Sequence, residues 1–421
     1  MIVKVEDRGG KRYVIDPVEG PLEIKHGLPG EVRYCTRCVI SNQRPSSSVE
    51  HENTKESTRN FIEFDKNGVC SACRVAELKH RDIEWEKRSR ELVTLCEKYR
   101  SRNGHYDCLV PGSGGKDSVY AADVLRKKYG MNPLTVTWAP HMYTDVGWRN
   151  FQRWVHKGGF DNYLFTPNGQ VHRKLTELAY RNMLHPFQPF VIGQKNFAPK
   201  LAAKLNVPLV FYGEHEADYG SPIAESYSTL QDTRFYARSR QSTTDLYFGG
   251  VVLSELPKHG ISLDHMASYL PADIDDLTKA GVEVHYLGYY LKWVPQECYY
   301  YAVEMTGFEA NTERTEGTYS KYSSIDDKID PYHYWTIFTK FGIGRATYDA
   351  SQEIRNLHID REEGVALVHK YDGEIPRKYL QDVLEYLDMD EAEFFEIADR
   401  FRSPHLWRKS SNIWQLRFQV S

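Results

Sequence analysis

Two groups of residues in this sequence are spaced for chemistry. The first is a pair of C-x-x-C turns, Cys35-Thr-Arg-Cys38 and Cys70-Ser-Ala-Cys73. Each turn brings two thiolates about one metal diameter apart, and together they supply the four sulfurs that tetrahedral Zn2+ prefers. Four protein ligands leave no open position for water, so the expected role is structural; four thiolates also suit an iron–sulfur cluster. The stretch 41–60 between the pairs is polar and Ser-rich and reads as a surface loop. The second group is Gly112-Ser113-Gly114-Gly115-Lys116-Asp117-Ser118. Its glycines let the backbone approach an anion, Ser113 and Ser118 offer hydroxyl donors, and Lys116 neutralises phosphate charge.

Such a loop needs a strand before it and a helix start after it, where unpaired N–H groups and the positive dipole end face the anion. The apolar run Tyr106–Pro111 and the helical pattern Val119–Tyr129 supply both. Further strands are expected at 134–138, 163–166 and 207–212, with helices at 77–103, 145–157, 172–184 and 190–206, the last disturbed by Pro199. Alternating strands and helices predict an α/β fold with a parallel sheet, whose ligands sit at the carboxyl ends of the strands. That gathers Ser113–Ser118, the 138–145 segment and the turn Gly213-Glu214-His215-Glu216-Ala217-Asp218-Tyr219-Gly220 around one crevice.

The stretch 282–301 is dense in tyrosine and reads first as aromatic packing, with Lys292 a candidate for phosphate or acceptor. Residues 312–330 are polar enough to form a long loop, and long loops in folded domains are often functional. Helices follow at 361–370, 376–387 and 391–402. Short strand-like pieces, KRYVID and PLEIKHG, occupy the first 33 residues.

The loop SGGKDS departs from the G-x-x-x-x-G-K-[ST] form and resembles that of the PP-loop ATP pyrophosphatases, the superfamily of asparagine synthetases, GMP synthetases and tRNA thiolases. The resemblance implies that Ser113, Gly114, Gly115, Lys116, Asp117 and Ser118 hold ATP, that Asp117 meets Mg2+, and that ATP is cleaved between its α and β phosphates. Asparagine synthetases carry a similar turn after the corresponding strand, which points to Gly213 and Glu214. Together with the Cys pairs, GEHEADYG and KFGIGRATYDASQEIR, the sequence resembles the bacterial N-acetyl sugar amidotransferases of pseudaminic acid and B-band O-antigen synthesis over roughly residues 33–373.

That likeness implies an α/β PP-loop (HUP-like) ATP pyrophosphatase domain with an N-terminal zinc module and a C-terminal helical region. The expected spans are 1–80, 81–345 and 346–421. It implies conversion of an acetamido group to an acetamidino group, with Lys116, Asp117, Glu214, Lys340 and Arg345 as catalytic residues, and Lys340, Arg345, Asp349 and Arg355 near the acceptor or leaving pyrophosphate. ATP, Mg2+ and structural Zn2+ at Cys35, Cys38, Cys70 and Cys73 are the implied cofactors.

Attack of an amide oxygen on the α-phosphate gives an O-adenylyl imidate, and ammonia then displaces AMP. Position 2 is Ile, and Cys96, Cys108 and Cys298 lack flanking glycines, so no glutaminase is expected within this sequence. The resemblance implies a separate glutaminase subunit with a cyclase-like ammonia-channelling companion, and a nucleotide-linked N-acetyl sugar as substrate. The rival is a tRNA-thiolating PP-loop enzyme. Against it stand 54 basic and 58 acidic side chains, a formal charge of −4 and no basic arm, which argue against nucleic acid. No apolar run is long enough to span a bilayer, and the first residues have no apolar signal core; a cytoplasmic location without membrane insertion is expected.

Overall fold

At the centre of the computed structural model, which describes residues 4–8, 11–15, 21–223, 227–240 and 246–421, lies a five-stranded parallel sheet. Outside it, an antiparallel hairpin of β1 (Lys4–Arg8) and β2 (Lys11–Ile15) opens the chain. The PLEIKHG piece, expected to be strand-like, forms no strand. Pro21 and Pro29 bracket it, and proline cannot donate to a ladder.

The sheet strands are β3 (Cys108–Pro111), β4 (Pro133–Trp138), β5 (Asn162–Phe165), β6 (Leu209–Tyr212) and β7 (Glu283–Tyr286). They lie in the order β7-β6-β3-β4-β5. The chain winds outward from β3 through β4 to β5, then returns to place β6 on the other side of β3. The β3/β6 junction is therefore the topological switch point, where the loops after two adjacent strands diverge and leave a crevice. Strand β7 escaped the sequence reading because its four residues merge into the tyrosine-rich run that follows.

Period-2 alternation divides the core. Cys108, Val110, Leu209 and Phe211 pack on one face with Val119, Leu125, Trp154 and Trp293. Leu109, Leu134, Val136 and Val210 pack on the other with Ala198, Leu201 and Ala202. The helices concerned are α1 (Ser71–Arg81), α2 (Trp85–Tyr99), α3 (Lys116–Lys127), α4 (Asp145–His156), α5 (Gly169–Met183) and α6 (Gln188–Leu205). Pro199 sits inside α6. The carbonyl of Lys195, freed because proline has no N–H, accepts from the Tyr212 hydroxyl at 3.4 Å, which also reaches Gln194 O at 2.8 Å.

After α7 (Pro295–Thr306) no helix or strand forms before Asp330, as expected of the polar run. Helices α8 (Asp330–Phe341), α9 (Arg345–Arg355), α10 (Arg361–Tyr371), α11 (Leu380–Leu387) and α12 (Glu391–Arg400) complete the helical region. It closes on a hairpin that the sequence reading lacked, β8 (Trp407–Ser410) with β9 (Ile413–Leu416). Ser411 and Asn412 both take positive φ, as a tight two-residue hairpin turn demands. Without a glycine, that turn carried little signal.

Candidate functional site

The Gly-rich loop leaves the end of β3 and enters α3 at Lys116. Gly114 has φ +84, and a Cβ there would lie 2.6 Å from Phe151 Cα, so the turn tolerates glycine alone. Ser118 Oγ donates to Gly115 O at 2.9 Å and so ties off the first helical turn. Lys116 Nζ donates to Asp117 Oδ2 at 2.5 Å, and Trp293 Nε1 to Asp117 Oδ1 at 3.3 Å. Burial works against the Lys116 charge, but Asp117 and Glu214 outweigh it and hold its pKa above the usual range.

Beyond β6, the turn 213–220 presents one of its three acids to the crevice. Glu214 accepts from the Tyr219 hydroxyl and lines the cavity. Burial, reinforced by Asp117, pushes its carboxyl up to about 7. Glu216 is bound by Lys195 at 2.6 Å and Asp218 by Lys79 at 2.7 Å. His215 is buried, with its ring nitrogens engaged by Ser228 O and Ala217 N. Gly213 is needed for fit, since a Cβ would lie 2.7 Å from the Trp293 ring.

The 138–145 segment, expected to wall the crevice, is instead covered by the polar loop. Asp327 Oδ2 accepts from His141 N at 2.7 Å and faces His141 Nδ1 at 2.8 Å, while Thr144 Oγ1 donates to Ile325 O. That places Asp326 in the crevice, where its Oδ2 accepts from Ser113 Oγ at 2.7 Å. Burial raises the Asp326 pKa, and it pushes neighbouring Asp330 up to about 7. Neither had been singled out, although an acidic pair within a long polar loop was a signal.

The result is a cavity of about 1040 Å³. Its lining includes Ser113–Asp117 and Glu214, together with Tyr319, Tyr322, Arg345, Asp349 and Glu353. Tyr299 and Tyr322 stack on its rim, centroids 4.3 Å apart. Arg345 pairs with Asp349 at 3.0 Å and lies over the Tyr334 ring. Asp117, Glu214, Asp326 and Asp330 all line the cavity and make this part of it acidic.

Other expectations move. Lys340 does not line the cavity: it is buried, its Nζ donates to Met183 O at 2.7 Å, and burial beside Arg59 lowers its pKa to about 7. Arg355 points away from the cavity, toward the sulfurs of Cys38, Cys70 and Cys73. Lys292 borders a small separate recess with Lys79 and Asp218. Arg44, which the sequence reading passed over, enters the cavity wall from the cysteine module.

That module brings the Sγ atoms of Cys35, Cys38, Cys70 and Cys73 within 4.8 Å of one another, all buried. Two opposite pairs lie 3.8 Å apart, Cys35 with Cys73 and Cys38 with Cys70, and Cys35 Sγ accepts from the backbone N–H groups of Arg37, Cys38 and Cys70. This is a donor set ready for a metal. The module props the 213–220 turn: Ser71 Oγ donates to Gly220 O at 3.1 Å, and Gly220, at φ +94, leaves room for Ile62.

Residues 316–420 match the family described as LPS biosynthesis protein WbpG-like, C-terminal domain. An uncharacterized protein of Methanocaldococcus jannaschii is 33% identical over 79 residues, 19% of this chain; the chain spans 28% of that relative's length. Among solved structures, the chain is similar to the U34-tRNA thiolase NcsA from Methanococcus maripaludis with its [4Fe-4S] cluster (TM-score 0.31, 11% identity, covering 85% of this chain and 90% of that one). It is also similar to the NMN synthetase from Francisella tularensis (TM-score 0.25, 11% identity, 55% and 90%). The chain is thus an α/β protein with a five-stranded parallel sheet and a Gly-rich loop between β3 and α3, whose residues 316–420 are similar to the C-terminal domain of the WbpG-like LPS biosynthesis proteins.

Proposed function

We propose that the protein is an ATP-dependent amidotransferase that converts an acetamido group of a nucleotide-linked bacterial surface sugar to an acetamidino group. One observation carries this reading. The Gly-rich loop and residues of the 316–420 segment line one cavity, with Ser113 donating to Asp326 at 2.7 Å, so a nucleotide held by the loop and a sugar held by the segment would meet in the same volume. The description of the matching family, LPS biosynthesis, supports a sugar acceptor.

The chain's own groups suit the chemistry. The acetamido oxygen attacks the α-phosphorus of ATP, the bond to the β-phosphate oxygen breaks, and pyrophosphate leaves. Lys116 and the N–H groups at the start of α3 stabilise the charge gathering on the phosphates. Ammonia then adds to the activated carbon, and AMP departs with the former amide oxygen. Glu214, whose carboxyl titrates near neutral pH, accepts the proton that ammonia sheds. Asp117 would meet Mg2+, which would neutralise phosphate charge when bound.

Zn2+ is the metal we assign to the four cysteines. Sulfurs 3.8 Å apart match the edge of a tetrahedron with bonds of about 2.3 Å around one ion, whereas a four-iron cube spreads its thiolates further. Cys96, Cys108 and Cys298 are buried, and none lines the cavity, which disfavours sulfur relay as in a thiolase. A separate glutaminase with a channelling companion would supply the ammonia.

Product analysis tests the reading. The protein is incubated with Mg-ATP, ammonium and a panel of UDP- and CMP-linked diacetamido sugars, and separately with bulk tRNA. AMP and pyrophosphate formed only with a sugar, together with a sugar product about 1 Da lighter by exchange of O for NH, support it. AMP formed only with tRNA, or ADP in place of AMP, overturns it.

A further inference from the structure

Two arginines line the cavity, and they are in different states. Arg345 is paired with Asp349. Arg44 is 8% exposed, and its Nη1 donates to Pro45 O at 3.1 Å. Among the described residues no carboxylate pairs with it; its guanidinium lies over the Tyr348 ring, 5.4 Å from the centroid. The acidic groups that act on it are the Tyr348 and Tyr219 hydroxyls and the Cys70 sulfur; a buried cation with no carboxylate partner is costly, and an anionic ligand in the cavity would relieve that cost. Its place is equally specific. Nη1 lies 3.6 Å from the position a Cβ on Gly220 would take, so the side chain runs alongside the turn that carries Glu214 and Tyr219. A planar guanidinium with free N–H groups matches two phosphate oxygens at once, which an ammonium cannot do.

We infer that Arg44 is a phosphate-binding residue of the cavity, inserted into it by the cysteine module. The phosphate belongs either to the pyrophosphate half of ATP or to the nucleotide carrier of the acceptor. Both sources rest on the proposed function, the first on its nucleotide and the second on its acceptor.

Titration calorimetry separates the cases. Binding of Mg-pyrophosphate and of UDP is measured on the wild-type protein, Arg44→Ala and Arg44→Lys, with metal content and melting temperature recorded for each. Loss of a desolvated charge-assisted pair predicts a rise of about tenfold or more in Kd for one ligand in Arg44→Ala. A rise for pyrophosphate places Arg44 on ATP; a rise for UDP places it on the acceptor. Arg44→Lys recovers only part of the loss and serves as the reporter should the alanine variant shed its metal. Unchanged Kd for both ligands in a variant with wild-type metal content overturns the inference. The calorimetry needs no amidinated product, so it stands or falls separately from the sugar assay.

Discussion

The cavity has two supports built on opposite principles. The loop Gly112–Ser118 and the turn after β6 stand on a sheet whose faces are sealed by large apolar side chains such as Trp154, Phe211 and Leu109. The cysteine module, which contributes Arg44 and braces Gly220, has almost no regular structure between residues 21 and 70. Its small core is mostly the cysteines themselves with Ile40, Ile62 and Val69. One support holds its geometry by hydrophobic burial; the other depends on cross-linking at a single point. The difference predicts that the Gly-rich loop keeps its geometry when the cysteine cluster is disrupted, whereas the groups leaning on the module do not.

Cys70→Ala gives the largest effect. Metal binding in such modules is folding free energy. The variant is expected to lose its metal and melt in two steps, the module first, while far-UV circular dichroism retains the sheet and helices. A single unshifted transition would break the comparison. Next comes Lys116→Ala, which leaves folding and metal content intact and lowers ATP cleavage about 10²–10³-fold, the usual cost of removing a preorganised charge donor. A matching drop in melting temperature would show that the loop is not independently supported.

Lys340 lies where module and helical region meet, and its pKa falls to about 7. Between that value and the ordinary lysine pKa the unfolded chain binds a proton that the folded chain does not, so native stability rises with pH across this window. Lys340→Met is expected to stabilise the protein by a few kcal/mol near pH 7, with the gain fading as pH approaches about 10 in chemical denaturation. A pH-independent difference would contradict the burial argument. The smallest effect is Ser71→Ala, which removes the hydroxyl on Gly220 O. It costs about 1 kcal/mol in stability and raises KM for ATP a few-fold through the Glu214 turn; an unchanged KM would uncouple module from cavity.

The sequence made the Gly-rich loop plain because its residues are contiguous and their flanks alternate in the periods of strand and helix. The cysteine cluster was equally plain, since spacing alone brings paired thiolates together. The run around α9 was readable only in part. Arg345, Asp349, Gln352 and Glu353 follow the helical period onto the cavity face, whereas Arg355 falls off it toward the cysteines. Lys340 belongs to the preceding helix and turns inward to a carbonyl. Arg44 lay beyond linear reading, and Asp326 was signalled only as part of an acidic pair in a polar loop, because each reaches the cavity by a loop folding back over residues far away in the sequence.

The same fold-back sets a schedule for synthesis. Tyr34 hydroxyl donates to Phe418 O across 384 positions, and Arg361 donates to the carbonyls of Cys35 and Cys38. At about 5–20 residues per second, the ribosome makes the cysteines tens of seconds before those partners exist. During that interval the four thiols depend on captured metal, or on the reducing power of their surroundings, to escape oxidation while the lid that will bury them is still being translated.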